Sequence, residues 1–305
     1  MKKDLLTAGQ LSKKEIFDIF SLTAKIKKSP RAFASVLQGK SLALIFQKPS
    51  NRTYVSFYVG MFQLGGTALY LGPDQIKLGE RETVHDVAKT LSRYVNGIVL
   101  RTFAHQTVID MAKYADVPVI NGLSDYSHPC QALADLFTIR EKFGSFRNVT
   151  MAYIGDGNNV CNSLIAVCAK IGVNLNIATP RGYEPDSGVI KAARAIALQS
   201  GARIRLFDTA KAAAAKADVL YTDVWASMGQ ETEAKRRKKD FKAFQLNSKL
   251  LDVANKGAYI MHCLPAHRGE EISDEVIDGK SSIVFDEAEN RLHVQKAVLV
   301  KLMGE

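Results

Sequence analysis

The chain has 305 residues, of which 47% are hydrophobic and 24% charged, with a formal net charge of +10. This is ordinary globular composition, long enough for about two domains of roughly 100–200 residues each and for sizeable cores without covalent staples. It excludes a helical membrane span, since no run of ~18 apolar residues occurs. It also argues against a disulfide or zinc framework, because Cys130, Cys161, Cys168 and Cys263 form no C-x-x-C pair and no His-Cys cluster has finger spacing.

The N-terminal segment, MKKDLLTAGQLSKKEIFDIF, carries basic residues but no apolar signal core, being interrupted by Asp4, Glu15 and Asp18. It predicts an amphipathic helix and a cytoplasmic location, with no membrane partner. SLALIF then predicts a strand, TYVSFYVGMFQLG a helix ending at Gly65-Gly66, and TALYL the next strand. GPDQIKLGERE reads as a loop, TVHDVAKTLSRYV as a helix, GIVLR as a strand ending at Arg101, QTVIDMAKYA as a helix and PVIN as a short strand. A long helix follows from about Cys130 to Phe143.

NVTMAYIGDG opens a second series, continued by the helix CNSLIAVCAKIG, the strand NLNIATP, the helix SGVIKAARAIALQSG, the strand RIRLF, the helix TAKAAAAKA and the strand DVLYTDVW. AYIMHCLP and SIVFDEAEN complete the strand pattern, and HVQKAVLVKLM is helical. Strands alternating with helices imply parallel sheets. Periodicity breaks at 144–148, so the prediction is α/β, with two similar doubly wound parallel-sheet domains, 1–145 and 146–305, joined by the long helix. In such sheets ligands lie beyond the carboxyl ends of the strands. The basic run KRRKKDFK reads as a solvated face. It lacks aromatic interleaving or a nucleic-acid module, so no nucleic-acid partner is expected. The basic balance suits small anionic substrates.

The polar clusters fall at strand ends. Ser50, Asn51, Arg52 and Thr53 follow the first strand and open a helix. Free N–H groups and the helix dipole favour an anion there, and an arginine fork suits phosphate. A plain N-cap beside a surface arginine accounts for the same residues equally well. Arg101 ends a second strand, where an arginine can point into the same crevice. His128 precedes Pro129 at the start of the long helix and Gln131 lies three residues on, so both can face one site. A histidine there can donate to a carbonyl oxygen, and a glutamine carbonyl can accept from an amide-like NH2. GDGNNVCNS invites a dinucleotide reading. Val160 stands where the third glycine belongs, however, and the next strand ends in ATPRG without an acidic ribose ligand, so a nicotinamide cofactor is disfavoured. Asn158 and Asn159 are then candidates for a polar small molecule. Asp223 at a strand end suits an amine, Cys263 and Leu264 end another strand, and Arg291 follows AEN.

On KPSNRT, HPCQALADL, GDGNNV, DVWASMGQE, HCLPAHRGEE and AENR, in that order and spacing, the chain resembles the ornithine carbamoyltransferases of the aspartate/ornithine carbamoyltransferase superfamily along nearly its whole length. The HPCQ-type motif is shared by carbamoyltransferases generally, whereas D-x-W-x-S-M-G and H-C-L-P are specific to the ornithine branch. The resemblance implies a carbamoyl-phosphate domain first, an amino-acid domain second, and a C-terminal helix packing back on the first domain. It implies a homotrimer or multiple of trimers with sites at subunit borders, the substrates carbamoyl phosphate and L-ornithine, the products L-citrulline and phosphate, and no metal or other cofactor. By position, Ser50, Asn51, Arg52, Thr53 and Arg101 would hold the phosphate. Arg101 and His128 would polarise the carbamoyl oxygen and Gln131 would bind its NH2. Asn159, Asp223, Ser227 and Met228 would bind ornithine, and Cys263, Leu264 and Arg291 would close the site. His262 beside Cys263 suggests some thiolate character.

Three departures stand out. The family usually has Thr at Asn51, Arg at Tyr54 with Glu at Tyr58, and Gln at Lys77. Positions 54 and 58 are i,i+4 on a helix, so an ion pair has been exchanged for a tyrosine pair. Lys77 lies in a loop that in the family reaches the neighbouring subunit's site, where it would either add a phosphate contact or simply be solvated. The rival readings are a carbamoyltransferase for another amine such as putrescine, which needs no α-carboxylate site, and a catalytically silent homologue.

Overall fold

The computed structural model describes residues 3–304. The chain divides into two compact units, one running through Phe137 and completed from Glu289 onward, the other Thr138–Ala288. The first contains α1 (Lys13–Lys28), β1 (Ser41–Phe46), α2 (Asn51–Gln63), β2 (Thr67–Leu71), α3 (Pro73–Ile76), α4 (Val84–Leu91), β3 (Gly97–Arg101), α5 (His105–Tyr114), β4 (Val119–Leu123) and the start of α6 (Pro129–Phe143). The chain passes through α6 into the second unit, with β5 (Thr150–Ile154), α7 (Asn159–Ile171), β6 (Asn174–Ala178), α8 (Ser187–Ser200), β7 (Ile204–Phe207), α9 (Ala210–Ala214) and β8 (Val219–Thr222). There follow α10 (Ala234–Phe241), α11 (Ser248–Leu251), β9 (Tyr259–His262), α12 (Asp274–Ile277) and α13 (Val284–Met303), which carries the chain back into the first unit.

Both sheets are wholly parallel, ordered β2-β1-β3-β4 and β7-β6-β5-β8-β9. A parallel sheet is covered on both faces, which is why β1 reads LALIF without alternation and is buried throughout that run. Ala43, Ile45, Ile98 and Leu100 pack with Val87, Ala88, Val108 and Met111 of α4 and α5. In the second unit Ala152, Ile154, Leu220 and Ile260 pack with Ala210, Ala213 and Ala214 of α9. Each strand order reverses once, between β1 and β3 and between β5 and β8. A doubly wound sheet opens a crevice at such a reversal, beyond the strand C-termini.

Several elements differ from the sequence prediction. The N-terminal helix begins only at Lys13, capped reciprocally by Ser12 and Glu15, and Leu5 instead bridges Ile120 in parallel fashion. GPDQIKLGERE is not all loop, since it contains α3. SIVFDEAEN is not a strand. Only Ser282 bridges Ile260, and α13 starts at Val284 with Asp286 and Glu287 in its first turn. A three-residue apolar run, Ile283 to Phe285, cannot distinguish strand from helix, and acidic residues suit a helix N-terminus. Finally, α2 begins at Asn51 rather than Thr53, so Asn51, Arg52 and Thr53 are its first turn and Ser50 its cap.

The tyrosine pair is in contact, with Tyr54 and Tyr58 ring centroids 5.7 Å apart, and Tyr54 also meets Tyr70 at 4.7 Å. Such ring pairs contribute about 0.5–1.5 kcal/mol beyond their area. Tyr54→Arg alone is therefore expected to lower stability by about 1 kcal/mol, and adding Tyr58→Glu is expected to recover part of it through an i,i+4 ion pair. A thermal-melt double-mutant cycle with no coupling contradicts this.

Candidate active site

In the first unit the chain leaves β1 at Phe46, which lies in register with Arg101 at the end of β3. The reversal between these strands thus brings the turn at 50–53 beside Arg101. Ser50 Oγ accepts from the Thr53 N–H at 3.3 Å and donates to Thr53 Oγ1 at 3.2 Å. From α13, Arg291 donates to Thr53 Oγ1 at 2.8 Å, so the last helix reaches the first turn of α2. Arg101, His128, Gln131 and Arg291 are all buried, and Arg52 is half-buried. Gln131 donates its Nε2 to Asp135 at 2.7 Å, which turns its carbonyl oxygen away from that carboxylate.

Electrostatics define this cluster. Burial first, and then the guanidinium charges of Arg291, Arg101 and Arg52, hold the His128 imidazole well below its usual 6.5. The ring is neutral near pH 7 and can donate or accept a hydrogen bond without adding charge. Three guanidinium groups acting on one neutral imidazole make a strongly positive, partly dry pocket lining, suited to a phosphate dianion and a polarised carbonyl oxygen. Lys77 stands exposed at the C-cap of α3 with φ 40°. Asn51 is exposed. Burial pushes the Cys130 thiol up to about 12, leaving it an inert core group.

In the second unit the reversal between β5 and β8 brings the turn after Ile154 beside Asp223. Thr222 Oγ1 donates to the Ile154 carbonyl at 2.6 Å across this join. Asn158 caps α7, its Oδ1 accepting from the N–H groups of Val160 and Cys161, and its Nδ2 donates to Asp223 Oδ2 at 2.7 Å. The Cys263 thiol donates to Asp223 Oδ1 at 2.9 Å. Asp223 is buried and held from two directions. Ser227 and Met228 lie on the segment that follows it, with Ser227 half-buried and Met228 exposed. Asn159 is the first residue of α7 and is half-buried.

The hydrogen bond of the Cys263 thiol goes to a carboxylate, that of Asp223. His262 Nδ1 accepts from the Leu264 N–H at 2.8 Å, which places its proton on Nε2, 3.1 Å from Glu271. The backbone N–H of His262 donates to Glu287, also buried. This network holds Leu264, a non-glycine residue at φ 56°, a conformation that costs about 1–3 kcal/mol and recurs at functional turns. Among the described residues, Asp223, His262 and Cys263 form the one trio of metal-ligating types, with ligand atoms within 4.8 Å. His262 bonds through both ring nitrogens, to Glu271 and the Leu264 N–H, while the Cys263 thiol bonds to Asp223.

Three features depart from the sequence expectation. Asn158, a candidate for substrate, orients Asp223. His262 pairs with Glu271. Arg237, in a run that reads as solvated, is buried against Asp156. Burial of one member of a charge run leaves little trace in the sequence, apart from the apolar Phe241 four residues on.

Residues 3–141 match the family described as Aspartate/ornithine carbamoyltransferase, carbamoyl-P binding domain, and residues 147–302 match its Asp/Orn binding domain. The chain is 54% identical to an ornithine carbamoyltransferase of Pyrococcus horikoshii, covering 99% of this chain and 96% of that one. It is 53% identical, at the same coverage, to the Pyrococcus furiosus protein named ornithine carbamoyltransferase, anabolic. A solved ornithine carbamoyltransferase from Pyrococcus furiosus superimposes with a TM-score of 0.95 at 52% identity, covering 99% of this chain and 97% of that one.

The depressed pKa of His128 means that the fold favours the neutral ring, so the stability linked to it is fully present above about 6.5 and is lost progressively as pH falls from there to the depressed value. The His128 ring resonances in an NMR titration are expected to stay at their neutral positions as pH falls through 6.5. A midpoint near that value contradicts the electrostatic picture.

Proposed function

Because the chain belongs to the aspartate/ornithine carbamoyltransferase family, we propose that it transfers the carbamoyl group of carbamoyl phosphate to the δ-amine of L-ornithine, giving L-citrulline and phosphate in arginine biosynthesis. The observation that carries this reading on physical grounds is the convergence of Arg52, Arg101 and Arg291 on a neutral His128.

In this reading the first unit handles the anion. The α2 N-terminus, with the hydroxyls of Ser50 and Thr53, Asn51 and the forks of Arg52 and Arg101, holds the phosphate. Lys77 adds a phosphate contact at a neighbouring subunit's site. Arg101 and His128 donate to the carbamoyl oxygen, Gln131 accepts from the carbamoyl NH2, and Arg291, Cys263 and Leu264 complete the carbamoyl-phosphate contacts. Asn159, Asp223, Ser227 and Met228 take the amino acid. The δ-amine is cationic in water near neutral pH, as a lysine is. It must shed a proton before its lone pair can attack, and Asp223 with Cys263 orients it. As the C–N bond forms, the carbonyl electrons move onto oxygen. The tetrahedral adduct then collapses with loss of phosphate. Oxyanion charge develops where Arg101 and His128 donate, and one such donor is typically worth about 3 kcal/mol.

The same reading makes the protein a cytoplasmic homotrimer. Val55, Tyr58 and Phe62 are 50%, 45% and 75% exposed along one side of α2, an apolar stripe of the kind that subunit contacts cover. Among the described residues no helix is long and apolar enough to cross a membrane.

The purified protein, given carbamoyl phosphate and L-ornithine without added metal or nucleotide, is expected to form citrulline, and Arg101→Gln is expected to lower kcat by about 10²–10³-fold. Turnover with putrescine in preference to ornithine, or no turnover at all, contradicts the proposal.

A further inference from the structure

The basic run 235–242 is not uniformly solvated. Lys235, Arg236, Lys238 and Lys239 are exposed on α10, but Arg237 and Phe241, one turn apart, face inward. Arg237 is 6% exposed and its partner Asp156 is 7% exposed. The Arg237 Nη1 donates to Asp156 Oδ2 at 3.0 Å and to the Trp225 carbonyl at 2.9 Å, while its Nε donates to Glu233 at 3.0 Å. The guanidinium lies 4.9 Å over the Tyr183 ring, and Phe241 packs on both Trp225 and Tyr183. One side chain thus binds three points of the chain with a fixed fork.

Those three points bracket the amino-acid half-site. Trp225 lies two residues after Asp223 and two before Ser227, and Glu233 lies five residues after Met228. Asp156 lies two residues before Asn158, the residue that donates to Asp223. Asp156 is itself held, its carbonyl accepting from the Tyr153 hydroxyl at 2.8 Å. Between the Arg237 contacts the segment closes a local turn, with Ser227 N–H donating to Gln230 Oε1 and Gln230 N–H to the Ser227 carbonyl, both at 3.0 Å.

We propose that Arg237 is a positioning residue for the amino-acid substrate, its buried pairing with Asp156 fixing the Ser227–Met228 segment against the turn that carries Asn158. This rests on the assignment of Asp223, Ser227 and Met228 to the amino acid. The clamp acts on affinity for the amino acid and not on carbamoyl phosphate, since none of its partners belongs to the arginine cluster of the first unit.

The energetics separate this role from plain stabilisation. Burial raises the Asp156 carboxyl to about 6, the neighbouring Arg237 only partly offsetting it. An acid whose folded pKa is raised contributes most stability below its unfolded pKa, and loses it as pH rises through the folded value. At neutral pH the ionised pair is therefore more costly than a neutral side chain of the same shape, as buried ion pairs often are. The charged groups acting on Asp156 are Arg237 and Glu233 from the α10 region and Asp223 from the end of β8. The ionisable Tyr153 of β5 and Cys161 of α7 also interact with it.

The test is steady-state kinetics and melting of the full-length protein as Asp156→Asn, Arg237→Gln and, as a control on the underlying assignment, Asp223→Asn. Both clamp variants are expected to raise the KM for L-ornithine about tenfold while the KM for carbamoyl phosphate stays within about twofold. Asp156→Asn is expected to melt at or above the unsubstituted protein. The logarithm of kcat/KM for ornithine is expected to show a break near pH 6 that Asp156→Asn abolishes. An unchanged ornithine KM in both clamp variants, or parallel loss for both substrates with a lowered melting temperature, overturns the proposal. An unchanged ornithine KM in Asp223→Asn removes the assignment on which it rests, and the proposal with it.

Discussion

Parallel strands joined by right-handed crossovers leave an open crevice wherever the chain changes direction across the sheet. In the first unit that reversal sets the end of β1 beside the end of β3, and so the α2 N-terminus beside Arg101. In the second it sets the end of β5 beside the end of β8, and so Asn158 beside Asp223. The remaining site features elaborate these two junctions. Thr222 stitches the second junction through its bond to the Ile154 carbonyl, and Arg291 reinforces the first by donating to Thr53.

The two junctions have opposite electrostatic character. The first gathers guanidinium groups around an imidazole kept neutral by burial and by those same charges. The second holds one buried carboxylate between an amide and a thiol. One is suited to an anion and an oxygen that becomes negative, the other to a cationic or nucleophilic amine. Neither arrangement is an economical way to stabilise a fold, because buried charges lose hydration that their partners only partly return. They are intelligible as preorganised donors and acceptors, aligned before substrate arrives. The strained Leu264, held through His262, Glu271 and Glu287, belongs to the same class of feature.

Most of this architecture is legible in the sequence, because its determinants are local. Alternation of apolar strands with 3.6-period helices specifies parallel sheets, and the polar clusters stand where strands end. Ser50 is a recognisable cap, and the SNRT quartet reads correctly as a strand-to-helix junction. Three things escape a local reading. SIVF is too short for its periodicity to separate strand from helix, and tertiary packing decides for helix. Asn158 and Asn159 are adjacent and chemically identical, so only the turn geometry reveals which one reaches Asp223. Arg237 sits in a run of similar cations, and its burial depends on Asp156, 81 residues earlier in the chain.

The two half-sites divide the labour: the arginine cluster supplies most of the affinity for carbamoyl phosphate, and the Asp223 carboxylate serves the amino acid. Titration calorimetry of carbamoyl phosphate into Arg52→Gln and Asp223→Asn tests this division directly. Arg52→Gln is expected to weaken binding by at least tenfold, about 1.4 kcal/mol, and Asp223→Asn to leave it unchanged. Equal weakening in both variants, or full retention by Arg52→Gln, would mean that the two half-sites do not divide the substrates in this way.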